Sequence, residues 1–567
     1  MCGIAGILGY NDYNKEQMIK MLDVQKHRGP DAVSIYTDKP IILGHNRLSI
    51  IDLSDTANQP MISNCGNYSI VFNGEIYNYL EIKQELKLDY QFKTSSDTEV
   101  LLAAFIKWEK KMLHKLNGMF SIAIWNKKTQ KLFVARDRFG VKPFYYTFLN
   151  NQFYFASEIK TLFAAGIEKE KNTKVWANYF VSGSYGLPNE TFWKNIHQLK
   201  AGHFFELVFS EKLNHEKINF FQWYDFPARI VQIAQQPIAT LKQHYQQLLI
   251  DSIQLRFRAD VPLGMNVSGG LDSSTLISLV HQQLPSQKSI EAFTFYSNND
   301  AYDELPWVNK LMQSTPYLLN KVLLEYKEIP RLIKEVSYYQ DEPFGGFPTL
   351  AYSLLFKRAR EKGIVVILDG QGMDEAWAGY DYYHNNSNSI IQGTTTSPVR
   401  PEAIDVEFTK FAQKENYPTP FDNQLQNLQY RDLFYTKIPR ALRFNDRISM
   451  MHSTELREPF LDYRLVELAF AQSNQMKLQN GQTKWLLRDL VKNKLGSSIA
   501  LAPKRALQTP QREWISNELK DYFTNQIEVF SNLDFVNKKK VNQIWKEYLN
   551  GNQDNSFYIW QWINTVE

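Results

Sequence analysis

The chain has 567 residues, of which 44% are hydrophobic and 22% charged, which is ordinary for a soluble protein and long enough for two or three domains. Its net charge of +4 is too small to indicate nucleic acid or an anionic membrane as a partner. Two cysteines, Cys2 and Cys65, exclude a disulfide framework, and without a membrane-spanning run or a signal peptide we expect a cytoplasmic protein.

The first 205 residues carry short runs of β-branched and aromatic residues, which predict strands. Two amphipathic patterns between them predict helices at 79–87 and 98–108. The runs lie at 41–44, 68–72, 119–125 and 131–135. This alternation predicts a first domain, 1–205, in which helices pack outside sheets.

Residues 206–237 are irregular and rich in glutamine, and they predict a linker. From 238 the pattern changes to a long helix at 238–258, followed by apolar strands separated by helices. The strands are predicted at 263–267, 292–296 and 364–368. Such alternation indicates a parallel α/β sheet in a second domain, 238–567. Weak periodicity at 387–429 suggests an insertion or loop, and the chain is mainly helical after 433.

Cys2 directly follows the initiator methionine. If Met1 is removed, one residue carries both a thiol and an α-amino group with a pKa of about 7.7–8.0. The amine can accept the thiol proton, so nucleophile and base come from the same residue. The alternative is a chance cysteine at the start of the chain.

Several polar clusters flank the first strands. They are HRGPD at 27–31, HNRLSI at 45–50, FNGEIYN at 72–78 and SSDTE at 95–99. Taken singly, each has a structural explanation: Asn73-Gly74 is a common hairpin turn, Ser96 or Asp97 can cap a helix, and Arg28 or Arg47 can be a surface charge.

Together with the Cys-Gly-Ile start and the run 135–143, these clusters resemble the class II glutamine amidotransferase domain of the N-terminal-nucleophile hydrolases, over about 190 residues. The resemblance implies that Cys2 attacks the glutamine side-chain amide. It further implies an oxyanion hole formed by Asn73 and the Gly74 N–H, and a pocket shaped by Arg28. Arg47 would then bind the glutamine carboxylate, and Glu75 and Asp97 would bind its ammonium group.

A glycine-rich string, SGGLDSS, follows the predicted strand 263–267 and opens a helix. Main-chain N–H groups at such a turn bind anions. The string lacks the Gly-Lys-Ser/Thr ending of a Walker loop, and a plain capped turn is the alternative. It resembles the pyrophosphate-binding loop of enzymes that adenylate a carboxylate. Its residues are Ser268, Gly269, Gly270, Leu271, Asp272, Ser273 and Ser274.

A second string, DGQGMDE at 369–375, follows the strand 364–368. Mg²⁺ usually joins one or two carboxylates to substrate phosphates. Asp272 and Asp374 are therefore the predicted Mg²⁺ ligands, with helix capping as the alternative.

Later motifs at 440–450, 455–462 and 481–488 extend a resemblance to the asparagine synthetase family, including its β-lactam-forming relatives, to 85–90% of the chain. It implies an αββα sandwich of the N-terminal-nucleophile hydrolase type, followed by a parallel-sheet ATP-pyrophosphatase domain. It also implies that Lys484 neutralises phosphate charge, although a basic helix surface would explain that residue as well. The residues implied near ATP are Asn266, Val267, Phe295, Asp369 and Gly370.

The sequence departs from well-studied asparagine synthetases at Gln371 and Met373, where those enzymes carry Glu and Ser. Gln371 is an acceptor-site candidate, but an amide cannot act as an anion. This puts the identity of the acceptor in doubt more than the reaction class. The segment Asp341-Glu342-Pro343 is a candidate source of the missing carboxylate.

We therefore expect a glutamine-dependent ligase that uses ATP and Mg²⁺ to amidate a carboxylate, with L-aspartate favoured and a homodimer suggested by the family. One alternative is another acceptor, such as a uronic acid or a secondary-metabolite acid. A phosphosugar amidotransferase sharing only the first domain is a second alternative, which the SGGLDSS loop opposes. A catalytically silent regulatory or binding protein on this fold is a third.

Overall fold

A computed structural model describes residues 2–9, 14–283, 290–384, 397–502 and 508–566. None of the described helices is both long and apolar enough to cross a membrane. Part of the predicted insertion, 387–396, lies outside the described residues. The rest of it includes the helix Gln424–Arg431.

Two six-stranded sheets, antiparallel throughout, form the first half of the chain. The first sheet has the order His197–Gln198, Tyr145–Leu149, Gln152–Ala156, Gly3–Leu8, Ile41–Arg47 and Ala32–Asp38. The second has the order Asn219–Gln222, His203–Val208, Lys131–Arg136, Gly118–Asn126, Tyr68–Ile76 and Met61–Ile62. The second sheet thus continues into the residues predicted as a linker, and the predicted domain limits remain predictions.

The alternation of side chains along each strand explains why the sheets stack. In the strand Gly3–Leu8, Ile4 and Leu8 pack between the sheets, while Ala5 and Ile7 pack outward against two helices. These helices are Asn14–Val24 and Ile159–Ala164, and helix Asp97–Trp108 covers the outer face of the second sheet. The predicted αββα sandwich is therefore confirmed.

A five-stranded parallel sheet organises the second half. Its order is Leu318–Leu323, Glu291–Tyr296, Leu263–Asn266, Val366–Leu368 and Glu455–Arg457. Its strands are apolar on both faces: Met265 and Leu368 pack in one cluster, and Phe293 and Ile367 in the other. Helices cover both faces, as parallel sheets require, and the predicted α/β domain is confirmed.

The remaining described helices surround these sheets. In the first half and the connecting region they are Tyr79–Leu86, Thr173–Ser182, Phe226–Val231 and Ile238–Arg256. Around the parallel sheet they are Leu271–Gln283, Leu305–Met312, Ile329–Gln340, Phe347–Glu361, Met373–Ala376, Val406–Thr409, Lys437–Met450, Tyr463–Phe470, Asn474–Lys477, Trp485–Leu495, Ser497–Ala500, Gln511–Ser516, Lys520–Ser531, Lys538–Leu549 and Phe557–Val566.

The parallel sheet has a switch point between its two central strands. From Leu263–Asn266 the chain builds outward to one edge, and it then crosses over to Val366–Leu368 and the other edge. The loops that follow these two strands lie side by side at the carboxyl ends, where open α/β sheets bind ligands. A Cβ atom added to Gly370 would lie 3.2 Å from the Asp272 Cβ, so the two loops are in contact.

Candidate active sites

Cys2 directly precedes the strand Gly3–Leu8 and is 7% exposed. Its main-chain nitrogen donates to Asn73 Oδ1 at 3.1 Å, and its Sγ lies 4.0 Å from the Leu48 carbonyl oxygen. Burial raises the pKa of the Cys2 thiol, and the nearby positive charge of Arg47 opposes this rise only in part. A thiol kept neutral in this way needs a base before it can attack. The predicted base is the α-amino group, which requires removal of Met1, a residue outside the described ranges.

Asn73 and Gly74 lie on strand Tyr68–Ile76, beside Cys2. Asn73 is fully buried, and its Nδ2 has no hydrogen-bond partner in the part of the chain that the structure describes. Buried amide donors are nearly always paired, so this one is placed to serve an incoming oxygen. Gly74 has φ +155°, and a Cβ there would lie 2.0 Å from the Met119 carbonyl oxygen. Only glycine fits at this position.

Arg47 and Arg28 fix the surroundings of Cys2. The Arg47 guanidinium donates to the Ser54 carbonyl at 2.7 Å and to Asn58 Oδ1 at 2.8 Å. Arg28 is fully buried, and its Nε donates to the Cys2 carbonyl at 3.2 Å. Arg28 therefore holds the backbone of the predicted nucleophile, and Arg47 is braced by a loop near it.

Glu75 and Asp97 lie in a buried acidic cluster that includes a residue from the second half. Burial, followed by repulsion from Glu455 and Asp97, raises the pKa of Glu75 well above its usual range. Burial likewise raises the pKa of Asp97 to about 6. Arg457 contacts two of these acids, with Nε 2.5 Å from Glu455 Oε1 and Nη2 3.5 Å from Glu75 Oε2. Three carboxyl groups around one guanidinium make a site suited to a further cation.

The glycine loop of the second half opens the helix Leu271–Gln283. Gly269 has φ +69°, and the Ser268 N–H donates to Ser273 Oγ at 3.2 Å. The loop borders a cavity of about 580 Å³ through six of its seven predicted residues: Ser268, Gly269, Gly270, Leu271, Asp272 and Ser273. Ser274 is fully buried and does not border this cavity.

Lys484 joins the two predicted metal ligands. Its Nζ lies 2.6 Å from Asp272 Oδ2 and 2.7 Å from Asp374 Oδ1. Burial alone would lower the pKa of this lysine, but the two carboxylates raise it, so the ammonium form is stable. Gly379 packs against the pair, and a Cβ there would lie 1.9 Å from Asp374 Oδ1 and 2.3 Å from Lys484 Cε.

The donor set fits Mg²⁺ that arrives with phosphates. Asp272 and Asp374 converge on one nitrogen and both border the cavity, and Mg²⁺ commonly takes one or two carboxylates together with phosphate oxygens. Among the described residues, no group of three or more His, Cys, Asp or Glu side chains could hold a metal. Phosphates would therefore have to complete the coordination.

The second string, 369–375, divides between the cavity and the core. Six of its seven residues border the cavity: Asp369, Gly370, Gln371, Gly372, Asp374 and Glu375. Burial raises the pKa of Asp369 to about 6. Met373 is fully buried, and its Sδ accepts from Tyr245 at 3.6 Å. Of the two departures from the family pattern, Gln371 therefore faces the cavity and Met373 does not.

Asp341 and Glu342, the candidate sources of the carboxylate that is missing at Gln371, do not border this cavity. Asp341 contacts Lys160 at 3.1 Å and accepts from the Ile159 N–H. Glu342 contacts Arg443 at 2.9 Å, and it borders a different, smaller cavity. Glu342 also accepts from the Phe192 N–H at 2.8 Å, so both acids make contacts between the two halves of the chain.

A second, small cavity adjoins the glycine loop and is bordered by three of the five residues predicted near ATP, whereas Asp369 and Gly370 border the large cavity. Asn266, Val267 and Phe295 border the small cavity, and Ser268 and Tyr352 border both this cavity and the large one. Both polar atoms of the Asn266 side chain are buried and lack partners among the described residues. The structure thus brings Asn266, Val267 and Phe295 together next to the glycine loop.

Sequence reasoning assigned no role to several residues at these sites. Glu455 and Arg457 reach the first site from the motif at 455–462, while Gly379 and Tyr352 belong to the second. The motif at 455–462 was a usable signal for the first pair. Gly379 and Tyr352 gave none, because their importance depends on close packing.

Comparison with known proteins matches both halves of the chain. The family described as glutamine amidotransferase domain matches residues 1–220, and the family described as asparagine synthase matches residues 244–567.

Individual relatives align over nearly the whole chain. Asparagine synthetase (glutamine-hydrolyzing) 1 of Bacillus subtilis is 27% identical, covering 99% of this chain and 95% of its own length. Asparagine synthetase (glutamine-hydrolyzing) 3 of the same organism is 29% identical over 89% of this chain and 86% of its own. Amidase chyE of Penicillium rubens is 25% identical over 91% of this chain and 89% of its own.

Proposed function

Because this chain belongs to the asparagine synthase family and carries a glutamine amidotransferase domain, we propose that it converts L-aspartate, L-glutamine, ATP and water to L-asparagine, L-glutamate, AMP and diphosphate. The observation that carries the proposal is that one chain holds both kinds of site. Cys2 lies beside the unpaired Asn73 Nδ2, and the loop at Asp272 faces Lys484 across a cavity.

The first site releases ammonia. The Cys2 thiol gives its proton to the α-amino group, and Sγ attacks the side-chain carbonyl carbon of glutamine. The oxyanion formed is stabilised by Asn73 Nδ2 and the Gly74 N–H. The α-ammonium group gives its proton to the amide nitrogen, ammonia leaves as the thioester forms, and water then hydrolyses the thioester to glutamate and the free thiol.

Glutamine is held at its amino-acid end by opposite charges. Arg47 binds the carboxylate through a charge-assisted contact. The acidic pair Glu75 and Asp97 binds the ammonium group. The raised pKa values of both acids support this role, since a bound cation would relieve their mutual repulsion.

The second site activates the acceptor. An oxygen of its carboxylate attacks the α-phosphorus of ATP, and diphosphate leaves toward the N–H groups of the loop 268–273 and toward Lys484. Asp272 and Asp374 would hold Mg²⁺, which supplies positive charge to the phosphates. Ammonia then attacks the acyl carbon, loses a proton and displaces AMP.

The base of ATP is proposed to occupy the small cavity next to the loop. Asn266 offers a buried donor and a buried acceptor there, which matches the edge of a nucleobase. Val267 and Phe295 form apolar walls. Asp369 and Gly370 border the large cavity, in which the phosphates are proposed to lie.

A second candidate function is the amidation of a different carboxylate by the same chemistry. The observation favouring it is that Gln371, an uncharged residue, borders the cavity, and that one relative is named an amidase. An acceptor panel decides between the two by measuring glutamine-dependent diphosphate release and product mass. Turnover with aspartate supports the first candidate; absence of turnover with aspartate and turnover with another acid reject it.

The variant Cys2→Ala tests whether ammonia release from glutamine and amidation of the acceptor take place at separate sites. The variant is expected to lose glutamine-dependent product formation and to keep synthesis from ammonium chloride. Loss of both activities in a folded variant would contradict two separate sites. Intact mass of the active enzyme tests the proposed base, because retention of Met1 leaves Cys2 without an α-amino group.

A further inference from the structure

Arg440 differs from the other arginines of helix Lys437–Met450. Arg443 contacts Glu342 at 2.9 Å, and Arg447 contacts Glu158 at 3.2 Å. Within the described ranges, by contrast, Arg440 has no hydrogen bond and no ion pair; its guanidinium carbon lies 5.4 Å from the centre of the Tyr185 ring. A half-buried guanidinium has five N–H donors to satisfy. Its position therefore suits an anion that comes from outside the chain.

The guanidinium borders the large cavity. Arg440 and Tyr185 are the two residues that border both the 580 Å³ cavity and a neighbouring cavity of about 50 Å³. The glycine-loop residues that border the large cavity, and Lys484, do not border this neighbouring cavity. Arg440 thus lies where the large cavity adjoins the 50 Å³ cavity. The glycine loop lines a different part of the large cavity.

The phosphates of ATP already have their own cationic partner. Lys484 lies between Asp272 and Asp374 beside the glycine loop, and the loop supplies N–H donors at a helix N-terminus. Several acids also border the cavity, including Asp369 and Glu304.

Two further cations border the cavity: Arg488 donates to three main-chain carbonyl groups, and Lys437 Nζ lies 5.0 Å from the centre of the Tyr380 ring. An acceptor with two negative charges needs a positive group at the end away from the reacting carboxylate.

We propose that Arg440 binds a second anionic group of the acceptor, so that the enzyme selects carboxylates bearing a further carboxylate rather than simple monocarboxylates. The inference rests on the proposed function and narrows its substrate class. Tyr185 contacts the guanidinium through a cation–π interaction, and this interaction uses none of the N–H groups that bind a carboxylate in a bidentate pair. L-Aspartate, with its α-carboxylate, belongs to this class.

The test uses matched acceptor pairs of nearly equal size, namely each dicarboxylate and its monoamide: L-aspartate and L-aspartic acid α-amide, succinate and succinamate, glutarate and glutaramate. The ratio of kcat/KM within each pair is measured by ammonia-dependent diphosphate release. Wild type is expected to prefer at least one dicarboxylate by roughly 10- to 100-fold, the range for a hydrogen bond to a charged group. Arg440→Met is expected to bring that ratio to within about twofold, whereas Arg440→Lys keeps part of the preference. Arg358→Met, an exposed arginine on helix Phe347–Glu361, is the control and keeps the wild-type ratio.

Calorimetric binding of the same pairs, in the presence of a non-hydrolysable ATP analogue and Mg²⁺, separates this inference from the proposed function. A preference for the dicarboxylate in binding that disappears in Arg440→Met, without any ATP-dependent turnover in wild type, supports the arginine site and rejects the proposed reaction. An unchanged ratio in a folded Arg440→Met variant overturns the inference. A wild type that does not distinguish the members of any pair, in turnover or in binding, overturns it as well.

Discussion

Asn73→Ala probes the geometry around Cys2 most directly, because the asparagine side chain makes two separable contributions. Its Oδ1 accepts from the Cys2 main-chain nitrogen at 3.1 Å, and its Nδ2 is buried without a partner among the described residues. The substitution removes both the acceptor and the donor. The first loss affects stability and the placement of the proposed base, and the second affects the transition state.

The two effects differ in size and in the assay that detects them. Loss of one oxyanion-hole donor costs about 2.7–4 kcal/mol of transition-state stabilisation, or roughly 10²–10³-fold in kcat. Leaving the buried Cys2 nitrogen without its acceptor costs about 1–3 kcal/mol of folding free energy. Asn178→Ala is a matched control, because Asn178 is also buried and its Oδ1 accepts from the Gln413 N–H at 2.7 Å.

Initial rates of glutamate formation and of ammonia-dependent diphosphate release, with urea unfolding of each variant, check these expectations. Asn73→Ala should lose glutamine hydrolysis by roughly 10²–10³-fold and retain ammonia-dependent synthesis. Asn178→Ala should show a similar loss of stability with its glutaminase rate unchanged. A slowdown of glutamine hydrolysis of less than about tenfold in Asn73→Ala, or an equal slowdown in both variants, would contradict the oxyanion-hole role of Asn73.

Two further predictions concern close packing and titration. Gly379→Ala should reduce ammonia-dependent diphosphate release at least about tenfold while glutamine hydrolysis persists, because the new Cβ would push Asp374 and Lys484 apart; an unchanged rate would show that the contact is not needed. Because the pKa of Asp97 is about 6, its carboxylate is ionised above that pH and neutral below it. The KM for glutamine should therefore rise by about tenfold per unit as the pH falls below 6, and Asp97→Asn should show a flat profile; parallel profiles in the two enzymes would contradict this role.

Local pattern predicts three of the five strands of the parallel sheet, because these three are apolar runs, and it misses Leu318–Leu323 and Glu455–Arg457. The expected strand 263–267 is observed as Leu263–Asn266, and the expected helix 238–258 as Ile238–Arg256. The helix Gln424–Arg431 was missed inside a polar region. Its start did carry a signal, since Asn423 accepts from the Leu425 and Gln426 N–H groups as an N-cap.

Position along a motif does not tell which side chains share a cavity. Gln371 and Met373 are two residues apart, yet one borders the cavity and the other packs against Tyr245. Gly372 stands between them with φ +106°, and this left-handed residue turns the chain so that its neighbours diverge. The different directions of Gln371 and Met373 depend on this backbone conformation, which the pattern of polar and apolar residues does not predict.

Contacts between distant parts of the chain were also beyond the sequence, and they bear directly on Cys2. Arg28 donates to the Cys2 carbonyl and pairs with both oxygens of Asp446, at 2.9 and 3.1 Å. Removing one partner of such a buried pair costs about 3–5 kcal/mol, although the intact pair adds little net stability. The pair thus joins the first half of the chain to the second. Asp446 lies on the helix that carries Arg440 at the large cavity, so a single rigid element connects the backbone of the predicted nucleophile with the proposed acceptor site.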